Sequence, residues 1–345
     1  MQRASALRVW SAVVTRATPR VNRKIGEFRR RAHTDPAVRI FIESLGIARS
    51  VRHNRDVPER PHRPPRAEPR EIAELRQIKS SQPELSSAVD MQIALVEMQR
   101  RVQSRVPLPW IQMDPAWLAS QQASGRPIVR FQDIPLDWTD FRLTFRQTAD
   151  ILRRYEAIER PDHDRIVALG REGRAIEPIV MLWYGASSGV DEKKDAGQRL
   201  PPDAPASLEQ VLLLALRPFL SRSAEAMGDR IDLKTWKHGH CPFCGWEPDF
   251  AVITPSADRR LICGRCVAQW QFAPLTCPFC GNDDRALITS FATRDGRYRV
   301  YACDVCRRYL KAYDARNAAR PVMVAVDTIA TLPLDAAAMQ RGYLG

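Results

Sequence analysis

The chain contains eight cysteines, and each belongs to a CxxC pair: Cys241–Cys244, Cys263–Cys266, Cys277–Cys280 and Cys303–Cys306. All four pairs fall within one 66-residue stretch, and no cysteine precedes it. A CxxC hook presents two sulfurs from a tight backbone turn, so two hooks can close a tetrahedron around one zinc or iron ion. The first and third hooks read Cys-Pro-Phe-Cys-Gly, at 241–245 and 277–281. The proline stiffens each knuckle, and the glycine supplies the left-handed backbone needed after the second sulfur.

The hooks form an internal repeat. CPFCG, with eighteen residues between Cys244 and the next hook CGRC, is echoed by CPFCG, with twenty-two residues between Cys280 and CDVC. Repetition and short loop closure favour sequential pairing over a cross-braced arrangement. The expected ligand sets are therefore Cys241, Cys244, Cys263 and Cys266 for one ion, and Cys277, Cys280, Cys303 and Cys306 for a second. Structural disulfides would need an oxidising compartment, and no secretory signal is visible. A redox dithiol is the competing chemistry, because CPFC is close to a glutaredoxin motif. Such motifs open a helix whose dipole lowers the thiol pKa, whereas here glycine follows at once and three sister pairs stand nearby. Zinc and iron both suit four thiolates, so ligand type leaves the metal open. His238 and His240 lie beside a complete set and read as surface residues.

Around this module the chain divides by texture. Residues 1–24 read as a basic, disordered tail, with six basic residues and no acid in the first 26. Residues 25–235 read as a mainly helical domain, with a helical pair over 25–50 and a Pro/Arg-rich linker at about 54–70. Apolar spacing predicts helices at Leu85–Val96, Trp138–Tyr155, 164–184 and 207–227, with a loop over 185–206. A first metal ribbon is expected over 236–272, a second over 273–316, and a helical segment over 317–345. Strand candidates are 250–254, 260–262, 267–272, 298–301 and 309–313. The fold class expected is α+β: a helical domain followed by two tandem rubredoxin-like, zinc-ribbon β modules. The longest apolar run, Val211–Leu220, is interrupted by Arg217 and Pro218. It reads as a buried helix, well short of the roughly 18 apolar residues of a membrane span.

Charge distribution bears on partners. The net charge of +13 is concentrated in residues 1–70, which hold 17 Arg/Lys against 6 Asp/Glu, while the remainder carries a surplus of only 2. Residues 237–316 hold 12 Arg/Lys and 8 Asp/Glu, and two divalent ions in four thiolates each, at a formal charge of about −2 per site, would cancel that surplus. Nucleic-acid ribbons carry a clear basic excess, so the module disfavours nucleic acid. The alternative, a nucleic-acid-binding zinc-ribbon protein, would depend on the basic N-terminal region. Trp246, Trp270, Phe272, Tyr301 and Tyr309 suit either a protein contact or a core. No Ser/His/Asp constellation or Gly-rich phosphate loop points to other catalysis, and the chain reads as a non-enzyme.

Two CPxCG…CxxC units in tandem behind a helical domain resemble the formate dehydrogenase accessory protein FdhE family. The closing segment, Asp327-Thr-Ile-Ala-Thr-Leu-Pro-Leu-Asp335 followed by Gln340-Arg-Gly-Tyr343, is similar to that family's C-terminal region. The stretch from Arg29 to Pro36 and the helix after Ile134-Pro-Leu-Asp-Trp match its layout more weakly. The resemblance implies a cytoplasmic maturation chaperone that contacts the catalytic subunit of formate dehydrogenase and carries rubredoxin-like sites. It tilts the metal toward iron, with zinc as the other choice, and makes all eight cysteines ligands. A client surface is expected between the helical domain and the ribbons, and self-association is left open.

Overall fold

The computed structural model describes residues 68–187, 200–228 and 230–345. The basic tail, the helical pair at 25–50 and nearly all of the 54–70 linker lie outside the described residues. Within Arg70–Gly345, which form one compact unit, the helices precede the sheet in sequence. Helices α1 (Arg70–Ser81), α2 (Ser86–Gln103), α3 (Pro115–Ala123), α4 (Trp138–Arg154), α5 (Arg160–Arg171), α6 (Ile176–Ser187) and α7 (Leu208–Gly228) lead into strands β1 (Pro248–Ile253), β2 (Arg259–Cys263), β3 (Gln269–Gln271), β4 (Ile288–Ala292), β5 (Tyr298–Cys303) and β6 (Tyr309–Asp314). Two short helices, α8 (Val324–Ala330) and α9 (Leu332–Gln340), close the chain. The fold is α+β, as the sequence texture predicts. Among the described residues no helix is long and apolar enough to cross a membrane.

Helix α7 is the axis of the helical half. Its side chains are buried almost all round, from Leu208 and Val211 through Phe219 and Leu220 to Met227; a helix apolar on every face must be enclosed by its neighbours. Phe141, Phe145, Ala149 and Leu152 line one face of α4 at helical spacing and are all buried. Pro218 sits inside α7 and cannot donate to the carbonyl four residues back, that of Leu214. The Gln99 side-chain amide of α2 donates to that carbonyl at 2.9 Å. Gln99→Leu should therefore cost about 1–3 kcal/mol, the penalty of an orphaned buried acceptor. In a Pro218→Ala background the loss should shrink, because residue 218 then supplies its own amide; urea unfolding of the four variants measures this directly.

One predicted element divides. The apolar pattern over 164–184 reads as a single helix, but the chain turns at 172–175 and gives α5 and α6. Gly170, near the end of α5, packs directly against Phe145 and Arg146 of α4, and the exposed Gly173 follows in the turn. Helices α1 and α3 and strand β4 are additions to the elements that apolar spacing predicts. Helix α3 carries a local signal, since Asp114 caps it by accepting from the Trp117 amide at 2.8 Å and Pro115 occupies its first turn.

The sheet order is β3-β2-β1-β6-β5-β4, antiparallel throughout except at β1–β6. Each ribbon is a three-stranded meander, and the two meanders stand side by side in the same sense. The parallel pair therefore joins the first strand of one copy to the last strand of the other. Phe250 faces Lys311 and Val252 faces Tyr313 across that seam. The sequence repeat thus becomes one continuous sheet. Gly239, ahead of the first hook, lies so close to the backbone of Pro278 in the third hook that no side chain could stand there.

The closing helices are pinned to the sheet by buried carboxylates. Asp327 is fully buried; it accepts from the Tyr298 hydroxyl at 2.8 Å, the Arg320 guanidinium at 2.6 Å and the Met323 amide at 2.7 Å. Asp335 accepts from the Tyr309 hydroxyl and from Lys311 Nζ, both at 2.7 Å. The segment from Asp327 to Tyr343 is therefore a structural clasp, and Tyr343 completes it with a hydrogen bond to Asp304 at 2.6 Å.

Candidate metal centres

Both clusters are built from the same local parts. In the first hook the Cys241 amide donates to the Trp246 carbonyl at 2.8 Å and the Gly245 amide to the Cys241 carbonyl at 3.0 Å. In the third hook Cys277 donates to Asn282 at 2.8 Å and Gly281 to Cys277 at 2.9 Å. Gly245 and Gly281 have φ of 71° and 77°, the left-handed backbone expected after each second sulfur. The other two hooks turn the same way, but with Val267 and Arg307 at φ 56° and 58°. A β-branched residue in that region is strained, and the cysteine pattern alone does not announce it.

Hooks one and two converge, as do hooks three and four. Cys241, Cys244, Cys263 and Cys266 bring their sulfurs within 4.8 Å of one another, and so do Cys277, Cys280, Cys303 and Cys306. The matching contacts recur in each copy: Cys241–Cys266 at 3.5 Å and Cys277–Cys306 at 3.6 Å, Cys244–Cys263 at 3.4 Å and Cys280–Cys303 at 3.6 Å. None of the eight cysteines is in a disulfide. Four sulfurs bound at about 2.3 Å around one ion would stand roughly 3.8 Å apart, close to the observed separations. Each cluster could therefore hold one metal ion. His238 and His240 stand outside both sets. His240 corrects the surface reading: it is half-buried, and its Nε2 donates to the Gly125 carbonyl at 2.8 Å.

The surroundings differ sharply. The first cluster is fully buried and belongs to the core shared with the helices. The Ile128 and Val129 amides donate to the Pro242 and Phe243 carbonyls at 2.9 and 2.8 Å, gripping the first knuckle. Arg217 of α7 donates to the Gly264 carbonyl at 2.6 Å, gripping the second. Arg265, within the second hook, is wholly buried with its guanidinium 4.0 Å from the ring centres of both Trp183 and Trp246. Trp246 is half-buried against this guanidinium, and Trp270, Phe272 and Tyr309 are core residues. Tyr301, the fifth of these aromatics, is half-buried.

Electrostatics at the first cluster suits a cation bound by thiolates. Burial raises the Cys241 and Cys266 thiols well above the ordinary cysteine value; neighbouring thiols add to the shift at Cys241, while at Cys266 the contact with Cys241 opposes it and those with Cys244 and Cys263 add to it. Burial also opposes ionisation of Cys244, but hydrogen bonds from Cys241, Cys263 and Cys266 and the charge of Arg265 bring it well below that value. Arg265 and Arg217 place two positive charges beside a cluster whose formal charge with a divalent ion would be about −2. The two guanidinium groups thus offset thiolate charge at the buried site, with Asp249 also acting on Arg217.

The second cluster has no such cover. Cys277 and Cys303 are buried, Cys306 is half-buried and Cys280 is exposed. Trp246 is replaced at the equivalent place by Asn282, and Arg265 by Val305, which is 56% exposed. The second ribbon is fastened to the first by Arg308, which donates to both Glu247 carboxylate oxygens at 2.9 and 3.0 Å and lies 3.6 Å over the Phe279 ring. The buried Arg259 adds a bond to the Thr276 carbonyl at 2.7 Å, and burial lowers its pKa to about 10. Both CPFC hooks lead toward strands and neither opens a helix, so the dipole that activates redox dithiols is missing there.

No family model matches the chain. It is 31% identical over 146 residues to an FdhE homologue from Shewanella sp. (strain MR-4), covering 41% of this chain and 48% of that protein. It is 28% identical over 138 residues to an FdhE homologue from Aquifex aeolicus, covering 39% and 48%. The chain thus aligns with about half the length of the curated relatives it matches. The crystal structure of the FdhE protein from Pseudomonas aeruginosa shares its fold, with a TM-score of 0.52, 21% identity, and 79% of this chain and 91% of that one covered. The resemblance drawn from the cysteine repeat and the closing segment holds in both comparisons.

Proposed function

We propose that this chain, which resembles FdhE proteins in sequence and in fold, is a cytoplasmic accessory factor for formate dehydrogenase. On this reading it binds the enzyme's catalytic subunit during maturation, carries out no catalysis of its own, and holds two ions through its eight cysteines. The observation that carries the reading is the pair of four-cysteine clusters set in one sheet behind a helical domain, on a chain similar to FdhE homologues. Tetrahedral thiolate sets suit iron and zinc alike, and iron is preferred on the family resemblance. When bound, the ions cross-link each ribbon and fix its knuckles; Arg265, Arg217, Trp183 and Trp246 neutralise and cover the first site. Co-purification with a tagged formate dehydrogenase catalytic subunit tests the partner. Recovery of this chain above an untagged control supports it, and no enrichment contradicts it.

Metal uptake should depend on pH with a definite sign. Raised thiols such as Cys241 and Cys266 are protonated at neutral pH, so loading the first site must expel their protons. Apparent affinity for zinc should rise with pH by about tenfold per pH unit for each proton released. Competition titrations between about pH 6 and 8, alongside measured proton release, check this slope.

A further inference from the structure

The two copies of the repeat hold their sulfurs alike but admit solvent differently. At the first cluster all four cysteines are buried, and the cover consists of Trp183, Trp246 and Arg265 on one side and the amides of residues 128–129 on the knuckle. At the second, Cys280 reaches solvent and Cys306 is half-buried. Val305 stands exposed between Cys303 and Cys306, and the Asp304 amide beside it bonds the Leu287 carbonyl at 2.9 Å. Exchange of a thiolate-bound ion proceeds through an incoming ligand that must reach the ion or a departing sulfur. An enclosed cluster allows that only when the surrounding core opens locally; an exposed sulfur allows it in the folded state.

We propose that the second cluster is a kinetically labile metal site that gives up its ion to external ligands, while the first retains its ion as long as the helices stay packed. In the exchange, a donor atom of the incoming ligand would take the coordination position that Cys280 Sγ gives up. No electron is transferred. The inference rests on the proposal that both clusters bind metal.

The test uses the full chain loaded with zinc and mixed with the chelator 4-(2-pyridylazo)resorcinol, with released zinc followed by absorbance. Two ions should leave in two phases of one equivalent each, the slower by about 100-fold or more because its release waits on local opening. Cys280→Ser should abolish the fast phase and keep the slow one, leaving one ion tightly held. Two ions leaving at one rate, or loss of the slow phase in Cys280→Ser, would overturn the proposal. On the unmodified protein, brief alkylation with iodoacetamide during chelation should label cysteines 277, 280, 303 and 306 before 241, 244, 263 and 266. Uniform labelling would overturn the proposal without recourse to any variant. A loaded chain that holds no zinc from the start is a different outcome, and refutes the metal reading itself.

Discussion

Replacing Cys241 by serine is expected to unfold the helical half of the protein together with the first ribbon. Cys241 is fully buried in the core that also contains Trp183, Leu212, Phe219 and Trp236, and its knuckle takes two backbone bonds from residues 128–129. In small metal modules the ion supplies about 10–16 kcal/mol of folding energy, more than most domains hold in reserve, roughly 5–15 kcal/mol. Removing one thiolate forfeits much of that contribution and leaves three buried thiols around an empty centre. Far-UV circular dichroism of Cys241→Ser should show loss of helix signal at a temperature where the wild type is folded, and metal content should fall by at least one equivalent. Cys277→Ser, at the matching place in the second copy, should lose metal too but keep the helices, because none of the backbone bonds from the helical half reaches that knuckle among the described residues. Equal melting of the wild type and Cys241→Ser would show that the first cluster holds nothing up.

The second large effect lies at the clasp. Lys311 and Asp335 are almost wholly buried, with side-chain exposures of 1% and 4%, and meet at 2.7 Å. Burial raises the Asp335 pKa, and the pull of Lys311 does not fully offset it. Desolvation therefore outweighs attraction, and the pair is held for its geometry more than for its strength. Asp335→Ala should destabilise by roughly 3–5 kcal/mol, since it strands a buried ammonium and leaves the Tyr309 hydroxyl without its acceptor. The double replacement Lys311→Met with Asp335→Asn removes both charges and keeps an acceptor for Tyr309, so it should recover most of the loss. Denaturant midpoints of the wild type, Lys311→Met, Asp335→Asn and the double variant, with Asp335→Ala alongside, decide the matter; a double variant no better than the sum of Lys311→Met and Asp335→Asn would contradict it.

The cysteine count, the repeat and the glycine after the second sulfur of each CPFC hook are legible in the amino-acid sequence, because metal hooks are local and their spacing is rigid. So is the burial of α7, from an apolar run too long and too uniform for a surface helix. The covering of the first site is not. Arg265 looks like a solvent-facing residue inside a hook, and its burial depends on Trp183, more than 80 positions earlier in the chain; only tertiary packing brings them together. The repeat does contain a further signal: Trp246 and Arg265 in one copy stand against Asn282 and Val305 in the other, and that contrast is what separates a covered site from an open one. Strand β4 escapes the apolar pattern because its side chains are mostly exposed, although alignment of the two copies places it opposite β1. The parallel β1–β6 seam has no sequence signal, since it joins edges of two units that look alike.

The proposed role in formate dehydrogenase maturation is tested most directly by enzyme activity in a strain lacking this chain. Formate dehydrogenase activity should be lost on deletion and restored when the wild-type chain is supplied on a plasmid, at unchanged levels of the catalytic subunit's transcript. Normal activity in the deletion strain would contradict the account.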